Sequence, residues 1–275
     1  MLCIFPPMRS EDRWRKGSQL ENIRTGMNQT ETASVGYHQV PADEKVRVVS
    51  QHFTNIARKY DLMNNILSFG FHHLWKRTAV RMLGLKTGDH VIDVCGGTAD
   101  LTLLAASVIG PSGRVIVYDI NQAMMEAGRP KVVNSHFTEK IFWVQGDAEQ
   151  ISCGDEYFDA AMIGFGIRNL THPEKGFREM YRVLKPGGKL MCLEFSKPSS
   201  FWFRVLYDLY SRAFMPLAGR LFADSLEAYT YLFESIRTFP SPEALASLLE
   251  EIGFSPVTHH KLTNGIAVIH LGVKT

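Results

Sequence analysis

The decapeptide Val91-Ile92-Asp93-Val94-Cys95-Gly96-Gly97-Thr98-Ala99-Asp100 constrains this chain most, because few architectures accept an apolar strand that runs straight into paired glycines. Glycines let backbone pass close to a ligand with no Cβ in the way. The helical stretch that follows offers its unpaired N–H groups to polar ligand atoms. A second strand closes at Asp119, where an acid at the strand tip can accept both hydroxyls of a ribose. Such an arrangement suits a nucleotide, the bland alternative being a tight strand-to-helix turn with no ligand.

The glycine spacing separates the candidate nucleotides. A dinucleotide site uses G-x-G-x-x-G, so that a pyrophosphate sits on the helix N-terminus. Here no glycine stands three residues after Gly97, and Asp100 occupies a place where a pyrophosphate would be repelled. Asp93 adds a second negative charge beside the turn. A cationic ligand fits better: S-adenosylmethionine brings a sulfonium and an ammonium to the turn and a ribose to the second strand, which makes methyl transfer the leading reading. On this reading Asp93, Gly96, Gly97 and Thr98 surround the methionine part, with Thr98 donating to its carboxylate. Asp119 holds the ribose, Ile120 packs on the adenine, and Asp147 accepts from the adenine amine. Taken singly, Asp119 and Asp147 are also ordinary turn formers after strands.

The rest of the chain supplies the matching alternation. Val46, Val49, Phe53 and Ile56 recur at helical spacing between about Glu44 and Lys59. Residues 122–134 suit a helix, and Ile141–Gln145 suits a strand ending at Gly146-Asp147-Ala148. Phe158–Ile163 reads as a buried strand that stops at Gly164-Phe165-Gly166. A helix from Pro173 carries Phe177, Met180, Tyr181 and Leu184 on one face. Lys185-Pro186-Gly187-Gly188 then turns the chain into the strand Lys189–Phe195. Pro242 starts a helix that ends near Ile252 at Gly253, and Pro256–Leu262 with Gly265–Val273 form a closing hairpin. This pattern predicts an α/β fold, with a mostly parallel sheet covered by helices on both faces and ligands over the carboxyl ends of its strands.

Composition bounds the remainder. The 275 residues are 45% hydrophobic and 21% charged, and 30 Lys and Arg against 28 Asp and Glu leave a formal charge of +2, so nucleic acid is not an expected partner. Cys3, Cys95, Cys153 and Cys192 lie far apart, which excludes C-x-x-C spacing; no metal site is expected, and a reducing, cytoplasmic compartment is. No apolar run approaches the roughly 18 residues that span a bilayer, so membrane contact would be peripheral. Residues 1–44 read as a mostly disordered leader and 45–275 as the folded domain. Within it, an aromatic helical insertion at about 199–236 is either packed on the core or forms a lid or groove for a greasy substrate.

The segment from Tyr60 to Lys76, Tyr-Asp-Leu-Met-Asn-Asn-Ile-Leu-Ser-Phe-Gly-Phe-His-His-Leu-Trp-Lys, resembles a signature of the ubiquinone/menaquinone biosynthesis C-methyltransferases. Tyr181–Gly188 resembles the family's second signature. The likeness extends through Gly164–Asn169, Leu193–Pro198 and Glu234–Arg237, and covers about Gly36 to the C-terminus. It implies a class I methyltransferase fold, Rossmann-like, with a seven-stranded sheet and a closing antiparallel hairpin. The activity it implies is S-adenosylmethionine-dependent C-methylation of a polyprenylated quinol ring in menaquinone or ubiquinone synthesis. The family's cofactor positions fall on Thr98, Asp119 and the Asp147-Ala148 pair. A greasy substrate makes peripheral contact with a membrane part of the expectation, and a homodimer is left open. So are two other functions: methylation of another hydrophobic small molecule, and cofactor binding without turnover.

The chain departs from the family pattern at the turn, where Cys95 and Ala99 replace a small residue and a glycine. Alanine avoids positive φ, so Ala99 is expected in an ordinary helical conformation. Gly164 stands where some relatives place a serine, and His73 replaces an arginine. For catalysis, Arg168 and Asn169, just past the fourth strand, are expected to orient the quinol oxygen and hold the phenolate. Arginine itself is a poor base. Tyr60 and His72 would form the opposite wall, with His72 a proton acceptor near neutral pH. The alternative for Tyr60, Asp61 and Asn64 is a helix-capping cluster.

Overall fold

Local composition understates the regular structure of residues 32–44. In the structure, a computed structural model that describes residues 32–198, 200 and 226–275, Thr32–Val35 (β1) and His38–Pro41 (β2) pair antiparallel, and the helix Ala42–Ile56 (α1) follows at once. Residues 32–44, expected within a disordered leader, thus form β1, β2 and the start of α1. Ala33 is buried, and the Glu234 carboxylate accepts from the Tyr37 N–H at 3.1 Å. The Glu234 contact comes from a remote part of the chain and leaves no local signature. Residues 1–31 and most of the expected insertion at 199–236 lie outside the described residues.

Two short helices, Tyr60–Ser68 (α2) and Phe71–Leu83 (α3), lead into the first sheet strand, His90–Val94 (β3). Asp100–Val108 (α4), Arg114–Asp119 (β4), Gln122–Val133 (α5) and Ile141–Gln145 (β5) complete one half. The other half runs through Phe158–Gly164 (β6), Pro173–Val183 (α6) and Leu184–Phe195 (β7). It ends with Leu226–Thr238 (α7), Pro242–Ile252 (α8), Phe254–Leu262 (β8) and Ala267–Lys274 (β9). The seven strands are ordered β5-β4-β3-β6-β7-β9-β8; the first five run parallel, and β9 is antiparallel to both its neighbours. This is the expected mostly parallel sheet with its closing hairpin.

Period-two patterning sends alternate strand residues into two cores. Val91, Val115, Val117 and Met162 pack under α3, α4 and α5, while Ile92, Val94, Ile116 and Ile163 pack under α6 and α8. On α6 the fully buried face is Phe177, Met180 and Val183, so Val183 takes the place expected for Tyr181, which lies edge-on to Phe254. The segment Lys185–Gly188 is a bulge inside β7 and not a turn before it: Phe158 pairs with Leu184, and Ala160 already pairs with Lys189. Helix α8 starts as its sequence dictates, with the Ser241 hydroxyl accepting from the Ala244 N–H at 3.2 Å and Pro242 in the first turn. Because β3 lies between β4 and β6, the chain leaves it in both directions, and a crevice opens over the carboxyl ends of these strands.

Candidate functional site

The crevice is built around the turn after β3. Cys95 (φ 54°), Gly97 (φ 48°) and Ala99 (φ 64°) are all left-handed, and the Ala99 N–H donates to Gly96 O at 2.8 Å. Ala99 therefore does not take the helical φ expected of it. Reversing direction within a few residues of a strand end requires left-handed backbone there, and a fully buried methyl holds it against a cost of about 1–3 kcal/mol. Helix α5 presses on the turn from outside through Gly128, where an added Cβ would lie 2.8 Å from the Thr98 backbone.

Two buried acids face the crevice. One Asp93 oxygen accepts the Thr102 hydroxyl at 2.6 Å while the other, Oδ1, has no partner; burial pushes this carboxyl up to about 7. Asp119 accepts N–H bonds from Gly97 (2.9 Å) and Asn121 (2.8 Å), and burial, opposed by those bonds, leaves it raised to about 6. Asn121 also caps α5 by accepting from the Met124 N–H, and its amide donates to Ser50 O at 2.8 Å and Thr54 Oγ1 at 3.0 Å. These bonds fasten α1 across the strand ends.

The charge beside the turn differs from the expectation. Asp100 is bonded by Lys76 Nζ at 2.7 Å and Lys131 Nζ at 2.6 Å, and Lys131 also reaches Asp61 at 2.7 Å. The two lysines outweigh burial and hold the Asp100 carboxyl well below the usual carboxylate range. Two acids and two cations thus cancel at this corner, and Asp100 contributes no net repulsion of an anion. The Thr98 hydroxyl joins the same network by donating to Asp61 at 2.8 Å, so a carboxylate placed there would meet the Thr98 backbone. Helix α2 has no side-chain cap; Asp61 serves this network instead, which sets aside the capping alternative.

An open cavity occupies the crevice, with about 1050 Å³ of empty space when its solvent-filled mouth is included. Asp93, Gly96, Gly97 and Thr98 line it at the turn. Asp119 and Ile120 line it after β4, and Asp147 and Ala148 after β5. Val49 and Phe53 of α1 and Tyr60 of α2 form a facing wall, with the Tyr60 and Phe53 rings 6.1 Å apart. Asn169 reaches the cavity too; its Oδ1 accepts from the Tyr231 hydroxyl at 3.1 Å and its Nδ2 donates to Phe165 O at 3.2 Å.

The structure does not bring Arg168 and His72 to this wall. Arg168 is buried behind it, donating to Glu194 Oε1 at 2.7 Å and Phe165 O at 2.6 Å, because β7 places Glu194 directly behind the end of β6. That carbonyl belongs to a left-handed Phe165 (φ 59°) on the cavity floor. His72 is buried where α2 meets α3, 3.0 Å from Asn65 Oδ1, and burial together with Lys76 lowers it to about 4. It is neither placed nor poised to accept a substrate proton at neutral pH. Sequence reasoning passed over Asn121, Gly128, Lys131 and Tyr231; only Asn121 had a local signal, as an N-cap type directly before a helix.

The residues present fit S-adenosylmethionine. Asp93 Oδ1 is a buried, unpartnered acceptor suited to a cation, Asp119 lies at a strand tip, and the exposed Ile120 offers an apolar surface beside it. Comparison with known proteins agrees. Over 255 residues, 93% of this chain and the full length of each relative, the sequence is 45% identical to proteins of Pseudomonas savastanoi pv. phaseolicola and Pseudomonas putida, each named ubiquinone/menaquinone biosynthesis C-methyltransferase UbiE. Among solved structures, a SAM-dependent methyltransferase of Thermotoga maritima, titled a possible histamine N-methyltransferase, superposes with TM-score 0.57 at 21% identity, covering 82% of this chain and 100% of its own. A SAM-dependent methyltransferase of Aquifex aeolicus gives 0.52 at 17%, covering 73% and 89%. At such identities these two establish the fold alone. The model of the ubiE/COQ5 methyltransferase family matches residues 39–274, and the chain belongs to that family of S-adenosylmethionine-dependent methyltransferases.

Proposed function

We propose that the protein methylates a ring carbon of a polyprenylated quinol, as the names of its relatives suggest for menaquinone or ubiquinone synthesis. The observation that carries this reading is the two-sided cavity: buried acids and a glycine turn on one wall, and Val49, Phe53 and Tyr60 on the other. A polar wall suits the donor and an apolar, aromatic wall suits a substituted ring with a greasy tail. When bound, S-adenosylmethionine would supply an electrophilic methyl, its S–CH3 bond being exchanged for a C–CH3 bond to the ring carbon, which would give up one proton.

The chain's own part is positioning and charge. Asp93 meets the ammonium, Asp119 the ribose hydroxyls, and Asp147 the adenine amine, with Ala148 beside it. Asn169, held by Tyr231 and Phe165, and Tyr60 on the facing wall orient the quinol oxygen as its proton leaves. Arg168 acts one step back, through Phe165 O. The long tail keeps such a substrate in a bilayer, so the enzyme works at a membrane surface; among the described residues no helix is long and apolar enough to cross one. The test is incubation with S-adenosylmethionine and either demethylmenaquinol or the demethylated ubiquinol precursor. A product heavier by one methylene unit is expected, and cofactor binding with neither quinol methylated would overturn the proposal.

A further inference from the structure

The turn between α2 and α3 presents large apolar side chains to solvent. Leu62 is 53% exposed, Phe69 70%, Phe71 48% and Leu74 57%. Leu62 lies on α2, Phe69 just past its end, and positions 71 and 74 share one face of α3. The turn is held rigidly in this shape. Phe69 is left-handed (φ 48°), a costly state for a bulky residue, and Gly70 (φ 76°) follows it. Beneath them Asn65 Oδ1 accepts from both His72 (3.0 Å) and His73 (2.7 Å), while the Gly70 N–H donates to Asn65 O at 2.9 Å.

Cations follow the apolar tip. One turn and two turns beyond Leu74 on α3 stand the exposed Arg77 and Arg81, and the exposed Arg58 precedes α2. Across residues 57–83 four exposed Lys and Arg stand against a single acid, Asp61, which Lys131 already pairs; the fifth cation, Lys76, is buried against Asp100. An apolar tip behind a basic collar is the pattern by which a peripheral protein lowers aromatic and aliphatic side chains into the headgroup boundary while arginines meet lipid phosphates. The patch also adjoins the site. Tyr60, which lines the cavity, opens α2 just before Leu62.

We propose that the α2–α3 turn is the protein's docking surface for an anionic bilayer, and that it brings the open side of the cavity against the lipid so that a ring enters while its tail stays in the membrane. The entry route rests on the proposed quinol substrate; the docking surface does not.

Flotation with vesicles of phosphatidylcholine, with and without phosphatidylglycerol, tests it in the full chain. The unaltered protein should float with the anionic vesicles. Phe71→Ser with Leu74→Ser, and separately Arg77→Glu with Arg81→Glu, should each lower its partitioning by at least about tenfold, since one cation near such a surface is worth about fivefold. The arginine variant should keep the parent melting temperature and the Phe71/Leu74 variant should still melt cooperatively, and both should keep full turnover on a short-tailed, water-soluble quinol and lose turnover on a long-tailed quinol carried in vesicles. Three results would overturn the docking surface: no flotation of the parent, flotation of both variants at the parental level, or a dimer in solution that the Phe71 and Leu74 changes dissociate without altering flotation. Normal flotation with neither quinol methylated would remove the entry route and the substrate assignment while leaving the docking surface standing.

Discussion

Replacing Arg168 by alanine isolates one buried ion pair. The Arg168 and Glu194 side chains are 6% and 2% exposed, and Nη1 lies 2.7 Å from Oε1. Oε1 also accepts from the Phe195 N–H at 2.8 Å, but Oε2 has no partner, so the guanidinium is the carboxylate's main compensation. Removing one member of such a pair costs about 3–5 kcal/mol, because the survivor remains buried and charged. For a domain of this size each kcal/mol lowers the melting temperature by about 2–4 °C, which predicts a fall of roughly 6–20 °C. The loss should depend on pH in a defined sense. Burial raises the Glu194 carboxyl even with Arg168 present, and more so without it. A carboxyl whose folded pKa is raised binds its proton more tightly folded than unfolded, so its penalty is absent below the ordinary carboxylate range and grows as pH rises through the folded value. Thermal melts of the variant and parent at pH 5 and pH 8 should therefore diverge more at pH 8, and adding Glu194→Gln should recover part of the loss. Turnover should drop sharply with cofactor affinity nearly intact, because Phe165 O loses one of its donors. A loss under about 1 kcal/mol, or one equal at both pH values, would refute the reasoning.

Cofactor affinity should weaken as pH falls, because Asp93 and Asp119, raised to about 7 and about 6, must be ionised to hold a cation and hydroxyls. A group with pKa about 6 is roughly one-tenth ionised at pH 5, so calorimetry should show Kd at least about tenfold higher there than at pH 8, and a flat profile would count against both roles. Gly128→Ala should cost about 1–3 kcal/mol in urea unfolding and raise Kd, since its Cβ meets the backbone of Thr98 at 2.8 Å; wild-type values would mean that the turn moves freely. His72→Gln should leave kcat within about threefold of the parent, and a hundredfold loss would return His72 to the chemistry. Tyr60→Phe should bind cofactor normally and lose turnover on quinol, which paired binding and rate measurements separate.

What the sequence made legible was what the backbone and local patterning determine. Strands β3 to β7 announce themselves by short, nearly continuous apolar runs, and the turn by Gly96 and Gly97, because those signals are properties of adjacent residues. Side-chain direction is not such a property. Arg168 stands where expected, just past β6, but whether it faces the cavity or the sheet depends on Glu194, 26 residues away on β7. The β1–β2 hairpin was hidden for the same reason, since its anchor, Glu234, is 197 residues from Tyr37. Ala99 failed differently: its own preference was read correctly and then overridden by the geometry of the turn.

Asp100 changes the case for a cationic ligand without reversing it. Its charge was half of the argument against a pyrophosphate, and Lys76 and Lys131, 24 and 31 residues away, cancel it. The discrimination then falls to Asp93 and Asp119, which are buried, where an exposed acid would be screened by water. Asp93 is the more decisive, because its Oδ1 lacks any partner and its carboxyl is held near neutrality. An arriving cation supplies what burial removed and draws the carboxyl into its charged form, whereas a pyrophosphate would meet a group that could only lose stability by ionising. The selectivity of this turn therefore resides in a strand residue, Asp93, that precedes the glycines.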